Sequence, residues 1–404
     1  MRRVSLSQGL SVGLTCSLTL VVLLLAHTPT VFANGMAASG IDALHRAAGA
    51  QLDHLPTQEI DQFWQHLQQQ YGGYLPDDSG PSLIKSLLDG GFQPKHLISG
   101  LTRYFLSSVV DHARLVGGIL ILTVVAAVLE TMQAAFEQQT VSRVAYAVIF
   151  LVLLVLAIGS FTEAIATARH AIETMDHFML ATIPLSVALL AASGSLASAA
   201  FFQPMMLFTV HFITNLVFFI VFPLVFFSAI LDVTSTLSET YRLTRLASLM
   251  RASGLTILGL ALSGFLGVIT IQGVGKGIVD GVGMRVVKFS VGTFVPVIGK
   301  AVSDAAETVL TASLLVRNAI GVAGLVIIAG ITIFPALKIL AMSFLYSGSA
   351  ALMQPLGDSP MLSCLGTLAK SMLLLFACVM AVGVMFFLAV CILLAASNLA
   401  VVMA

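Results

Sequence analysis

Six charged side chains crowd a glycine-rich stretch, 271–304, that is flanked by long apolar runs: Lys276, Asp280, Arg285, Lys288, Lys300 and Asp304. Lys276 and Asp280 stand four residues apart, as do Lys300 and Asp304, a spacing at which a helix lets opposite charges neutralise each other. Left unpaired near membrane depth, the same groups would line a polar passage or meet a partner. Gly273, Gly277 and Gly281 recur every fourth residue. On a helix they form a nearly bare face against which another backbone can come close. Gly283, Gly292, Pro296 and Gly299 argue against one straight helix through the whole stretch. Two readings follow. The segment is either a packed, polar, re-entrant element covered by protein or a wet cavity, or an amphipathic loop on the membrane surface with its charges in water.

Gly259, Ser263 and Gly267 repeat the small-every-fourth pattern just before that stretch. Lipid offers helices no hydrophobic drive to associate, so such a stripe is read as a helix-contact surface. Packing within the chain is the expected use, and contact with another subunit is the other. His211 and Asn215, four apart, share a face of an apolar run, where an interhelical hydrogen bond is expected ahead of a proton relay. Catalytic patterns fail one by one. Gly273-Val274-Gly275-Lys276-Gly277 lacks the Gly-Lys-Ser/Thr ending of a phosphate loop. Ala191-Ala192-Ser193-Gly194 and Ala261-Leu262-Ser263-Gly264 have alanine where a rhomboid-type serine motif needs glycine. Gly277-Ile278-Val279-Asp280 is not the Gly-x-Gly-Asp of an intramembrane aspartyl protease. Cys16, Cys364, Cys378 and Cys391 have neither metal spacing nor a disulfide framework. The chain is read as a non-enzyme with no cofactor.

The elements that must position these residues are membrane helices. Hydrophobic residues make up 58% of the 404 and charged residues 9%, against about 25% charged in a soluble domain. The fold class is therefore all-α, a polytopic helical membrane protein in contact with the bilayer. The net charge is zero, and no dense basic cluster points to nucleic acid. Arg2 and Arg3, an apolar run over 10–26, and Val31-Phe32-Ala33 read as a signal peptide spanning 1–33. A helical region over 34–114 would then lie outside the cytoplasm or at the interface, ahead of a multi-pass domain over 115–404. Within that region Ile60, Phe63, Trp64, Leu67 and Tyr71 fall on one helix face. Thr57 is placed to start that helix and Gly72-Gly73 to stop it. A second short helix is expected over 81–89, and both would pack on the membrane, on a partner or on each other.

Seven apolar runs are candidate spans: 115–129, 144–160, 178–194, 207–230, 255–271, 319–337 and 372–397. The first falls short of about 20 residues and is expected to borrow from the helix before it. The third, interrupted by Pro184, reads as either a full span or a re-entrant hairpin. Under both schemes the loop lysines and arginines divide equally between the two sides, so the positive-inside rule is silent. Arg242, Arg245 and Arg251 form the densest short basic loop, which leans towards placing that loop in the cytoplasm.

Gly273, Asp280-Gly281-Val282, Arg285, Lys288-Phe289, the run Phe294-Val295-Pro296-Val297-Ile298-Gly299-Lys300, and Ser303-Asp304, set behind a leader and serial apolar runs, together resemble the stage III sporulation protein AE family of endospore formers. The resemblance is in layout over the mature chain, and its specific part is 272–304. It implies a subunit of a multiprotein complex in the mother-cell membrane around the forespore, a channel or secretion-like conduit serving forespore development after engulfment. The implied partners are other stage III sporulation proteins and, across the intermembrane space, a forespore-membrane protein. The family carries no known catalytic residues. An autonomous secondary transporter, built from two related halves with paired interrupted helices, is the other class in view.

Overall fold

The computed structural model describes residues 47–75, 82–88, 94–135, 139–192, 196–237, 243–291, 299–356 and 360–402. Only the backbone course is described for 94–96, 115, 126, 127, 129–135, 139–143, 146, 190–192, 196–203, 237, 272–291, 299–310, 356 and 393–402. Every regular element among these residues is helical. After a helical turn over 47–52 come α1 Gln58–Tyr71, α2 Leu83–Leu88, α3 Pro94–Ala135 and α4 Gln139–Ala181. Then follow α5 Ile183–Ala192, α6 Leu196–Leu216, a π turn Val217–Val221, and α7 Phe222–Leu237. The last three are α8 Thr244–Val291, α9 Gly299–Met353 and α10 Pro360–Val402.

Among the described residues, five helical stretches are long and apolar enough to cross a bilayer: Ala147–Leu189, Pro204–Thr236, Thr244–Ile271, Thr311–Met353 and Pro360–Ile392. A sixth forms if Leu97–Arg114 and Val116–Val125, bent by 42°, count as one span. The short first run lies within α3, which passes unbroken in sequence through residue 115. The chain is a multi-pass membrane protein.

The seven-span reading needs two corrections. The runs 144–160 and 178–194 are not separate crossings, because α4 continues through the polar residues between them. That linker, Thr162 to Asp176, holds alanine, glutamate, arginine and isoleucine without glycine or proline, so it propagates a helix. Among the described residues of these runs the helix breaks at Thr182, two before Pro184, and the Thr182 hydroxyl bonds back to the Met179 carbonyl at 2.9 Å. The run 319–337 likewise does not end at Leu337. α9 carries on for 16 residues to Met353, and Pro335 is accommodated inside it.

α9 and α10 form the best-buried pair, and glycine decides how close they come. A Cβ at Gly383 would collide with the Thr332 side chain. Ser343 donates across the same interface to the Ala369 carbonyl at 2.8 Å. Gly324 faces Val390, whose methyl would lie 3.5 Å from an added Cβ. These contacts are the small-residue packing that membrane helices rely on.

The helices before the spans are not an appendage. α1 buries Ile60, Trp64, Leu67 and Tyr71. Leu67 enters the notch left by Gly330 of α9, where a Cβ would lie 3.2 Å from the Leu67 Cδ1 atom. Tyr71 stacks on Phe334 with centroids 4.2 Å apart, and Tyr104 meets both rings edge-on. Phe63 meets Phe178 of α4 edge-on at 5.1 Å. Thr57 does occupy the N-cap, though its side chain makes no capping bond, and α1 stops before Gly72. Ser82 caps α2 by accepting the Lys85 N–H at 3.5 Å.

Candidate functional site

α4 is the element that brings polar chemistry into the bundle. Its span is apolar at both ends, with charge in the middle, and each charged group finds a partner on a different helix or a turn away. Glu163 accepts from the Lys338 ammonium of α9 at 2.9 Å, and the His112 ring of α3 lies 3.8 Å from the same carboxylate oxygen. Three helices are thus tied at one point. Arg169 pairs with Glu173 at 3.5 Å and sets its guanidinium 5.2 Å over the ring of Phe218, inside the π turn. Such a cation–ring contact gains strength where water is scarce, and π turns often mark functional positions. Asp176 meets the His211 ring of α6 at 3.1 Å. A fourth pair, Asp232 with Arg251, joins α7 to α8.

Charges at membrane depth must pair, and these are paired, while Glu163, Arg169, Glu173 and His211 each keep about half of their side-chain surface exposed. Glu163 and Asp176 are more than three helical turns apart on α4, roughly 20 Å at about 1.5 Å per residue. They belong to separate clusters, too far apart for one direct proton step. The chemistry within reach of each cluster is charge neutralisation and helix registration.

Against that geometry, the residues singled out from the sequence fare unevenly. His211 has the interhelical partner expected of it, in Asp176. Asn215 does not, since its amide donates to the His211 backbone carbonyl at 3.0 Å on its own helix. Gly259, Ser263 and Gly267 are exposed, and no described atom lies within 4 Å of a Cβ placed at Gly259 or Gly267. Ser263 merely bonds back to the Gly259 carbonyl at 2.9 Å. Packing of this stripe inside the chain is therefore not what the described residues show.

For the central stretch, the backbone of α8 runs helically through Gly273, Gly277, Gly281 and Gly283 to Val291, and α9 begins at Gly299. The helix passes through Gly283, one of four residues set against a single helix over the stretch, and ends at Val291, ahead of Gly292. The side chains of Lys276, Asp280, Arg285, Lys288, Lys300 and Asp304, and residue Pro296, lie outside the described residues. So does the leader with Arg2 and Arg3.

Several basic residues assigned to loops are inside helices instead. Lys338 is held by Glu163, Arg317 is buried in α9, and Arg251 is tied to Asp232. Sequence reasoning missed Glu163, Lys338, His112 and Asp176 because it took the polar stretch of α4 for a loop. The absence of glycine and proline there was the available signal. It also missed Gly383 and Gly330, which sit in no four-residue repeat and carry no mark of their own.

Comparison with known proteins bears on the whole assembly of helices. The family model of stage III sporulation protein AE matches residues 81–397. Stage III sporulation protein AE of Bacillus subtilis (strain 168) is 42% identical over 350 residues, covering 86% of this chain and 88% of that protein. No solved structure matches. Matching most of its length and nearly all of its described membrane helices, the chain belongs to the stage III sporulation protein AE family.

Proposed function

We propose that this chain is a membrane subunit of the sporulation complex in the mother-cell membrane around the forespore, a channel or secretion-like conduit required for forespore development after engulfment. It works there with other stage III sporulation proteins and, across the intermembrane space, with a forespore-membrane partner. The reading gives the chain no catalytic step. Family membership supplies the sporulation role. The observation that supports a subunit over a free-standing permease is the pairing of charges: Glu163 with Lys338, Asp176 with His211, and Asp232 with Arg251. Such pairs register helices against one another. A secondary transporter would instead present interrupted helices in corresponding places of two halves. Among the described residues the bend in α3, the break at Thr182 and the π turn at Val217–Val221 all fall before the end of α7, while α9 and α10 run on as continuous helices.

Affinity purification of the tagged chain from sporulating cells tests the reading. Copurification of the other stage III proteins, with development arrested after engulfment in the deletion strain, is the expected result. Solute transport by the purified chain alone in vesicles, with no copurifying sporulation protein, would establish the transporter instead.

A further inference from the structure

The two flanks of α4 carry opposite kinds of surface at one level of the bundle. His170, Ala171 and Thr174 of α4 line the cleft against α1, and Phe178 meets Phe63. At 100° per residue these positions share one side of the helix, while Arg169 and Asp176 point the opposite way. Those two meet Phe218 and His211. α1 and the α6–α7 segment therefore sit back to back across α4, at the same height. Thr332 of α9, 3.7 Å from the Met175 sulfur, marks that height as near the middle of the candidate span Thr311–Met353.

The outer faces at this height could not share one solvent. α1 turns Gln58, Gln62, Gln65, His66 and Gln69 outward, all exposed, with no large apolar group among them. Each amide facing hydrocarbon without a hydrogen bond would cost roughly 2–7 kcal/mol. On the other flank Phe208, Phe212 and Phe219 are 73%, 55% and 73% exposed, within the candidate span Pro204–Thr236, and the one titratable ring among them, His211, is tied to Asp176. That edge suits lipid.

We propose that at this depth the chain stands between lipid and water: the phenylalanine edge of α6 and the π turn faces hydrocarbon, while the glutamine face of α1 lines an aqueous vestibule. This rests on the channel-subunit reading and adds to it the element that borders the wet path. α1 lines the vestibule because its buried face is held by α9 and α4, leaving only the amide face to meet water and polar solute.

Single cysteines test this in isolated membranes from sporulating cells, using the full chain with Cys16, Cys364, Cys378 and Cys391 replaced. Gln65→Cys and Gln69→Cys should react with a charged maleimide about ten-fold or more faster than Phe212→Cys and Phe219→Cys, because apolar surroundings suppress the reactive thiolate. A bimane fluorophore at Phe219→Cys should be quenched by nitroxide lipid, and one at Gln65→Cys by iodide. If one of these variants fails to accumulate, Gln62→Cys or Phe208→Cys replaces it on the same face. Equal, fast labelling of all four positions would put this level outside the bilayer and overturn the proposal. Slow labelling at both glutamine positions would show that α1 is covered, and would overturn it too. Copurification is scored on the same membranes. Its loss with the labelling contrast intact sinks the subunit reading alone, and its persistence without the contrast sinks the vestibule alone.

Discussion

Lys338 and Glu163 offer the sharpest residue-level test, because each neutralises the other between helices. Lys338→Met should destabilise the chain and Glu163→Gln should do the same. The double variant should recover part of the loss, with a coupling energy of about 0.5–3 kcal/mol, read from thermal midpoints in nanodiscs. Gly383→Val should force α10 away from Thr332 and cost about 1–3 kcal/mol as overpacking, with partial rescue by Thr332→Ala. Leucine at Gly259 or Gly267 should leave the isolated chain's midpoint unchanged, since no described atom lies within 4 Å of a Cβ there. Asp61 is a different case. Burial raises its pKa above the ordinary 3.8, against the lowering effects of the Ser82 hydrogen bond and Lys85. The folded chain therefore holds this proton more tightly than the unfolded one. Its stabilising contribution is present below the unfolded pKa and is lost as pH rises through the raised folded value. Asp61→Asn should accordingly be more stable than wild type at neutral pH, with the advantage fading as pH falls towards 3.8.

At the scale of elements, α1 is held by a few large side chains over a short length, and this makes its docking separable from the bundle. Fourteen residues make α1, and Trp64 is its fully buried anchor. Trp64→Ala should cost about 3–5 kcal/mol of local stability. Hydrogen exchange should then show protection lost over 58–71 while α9 and α10 keep theirs. Equal loss throughout would mean that α1 and the spans unfold as one unit. The existence and inner face of α1 were legible in its sequence, because Ile60, Trp64, Leu67 and Tyr71 keep helical spacing. Its partners were not, since a period says which side is apolar and nothing about what meets it. The same limit explains the glycines. A four-residue repeat marks where a helix could approach closely, but Gly383 and Gly330 do the work because Thr332 and Leu67 happen to stand opposite them.

For the molecule as a whole, joining the second and third runs leaves up to six crossings, with the bent α3 as the first. For an amino terminus outside, as the leader expected over 1–33 would place it, six crossings would put the segment after α7 in the cytoplasm. Cysteine at Leu243, between α7 and α8, in a variant otherwise free of cysteine, should then resist an impermeant thiol reagent on intact cells, and rapid labelling from outside would reverse the orientation. Composition by itself determined that this is a helical membrane chain: hydrophobic residues at 58% and charged ones at 9% leave no soluble core to build, and backbone groups in lipid must bond within their own helix. The motif over 272–304 pointed to the family. What only the tertiary structure decided is where helices continue and what their polar groups meet. Charge at 162–176 reads as a loop until Lys338, His112, Phe218 and His211 are seen to surround it, because the free energy of an ionised group in a membrane depends on its neighbours across the bundle and not on its neighbours in the chain.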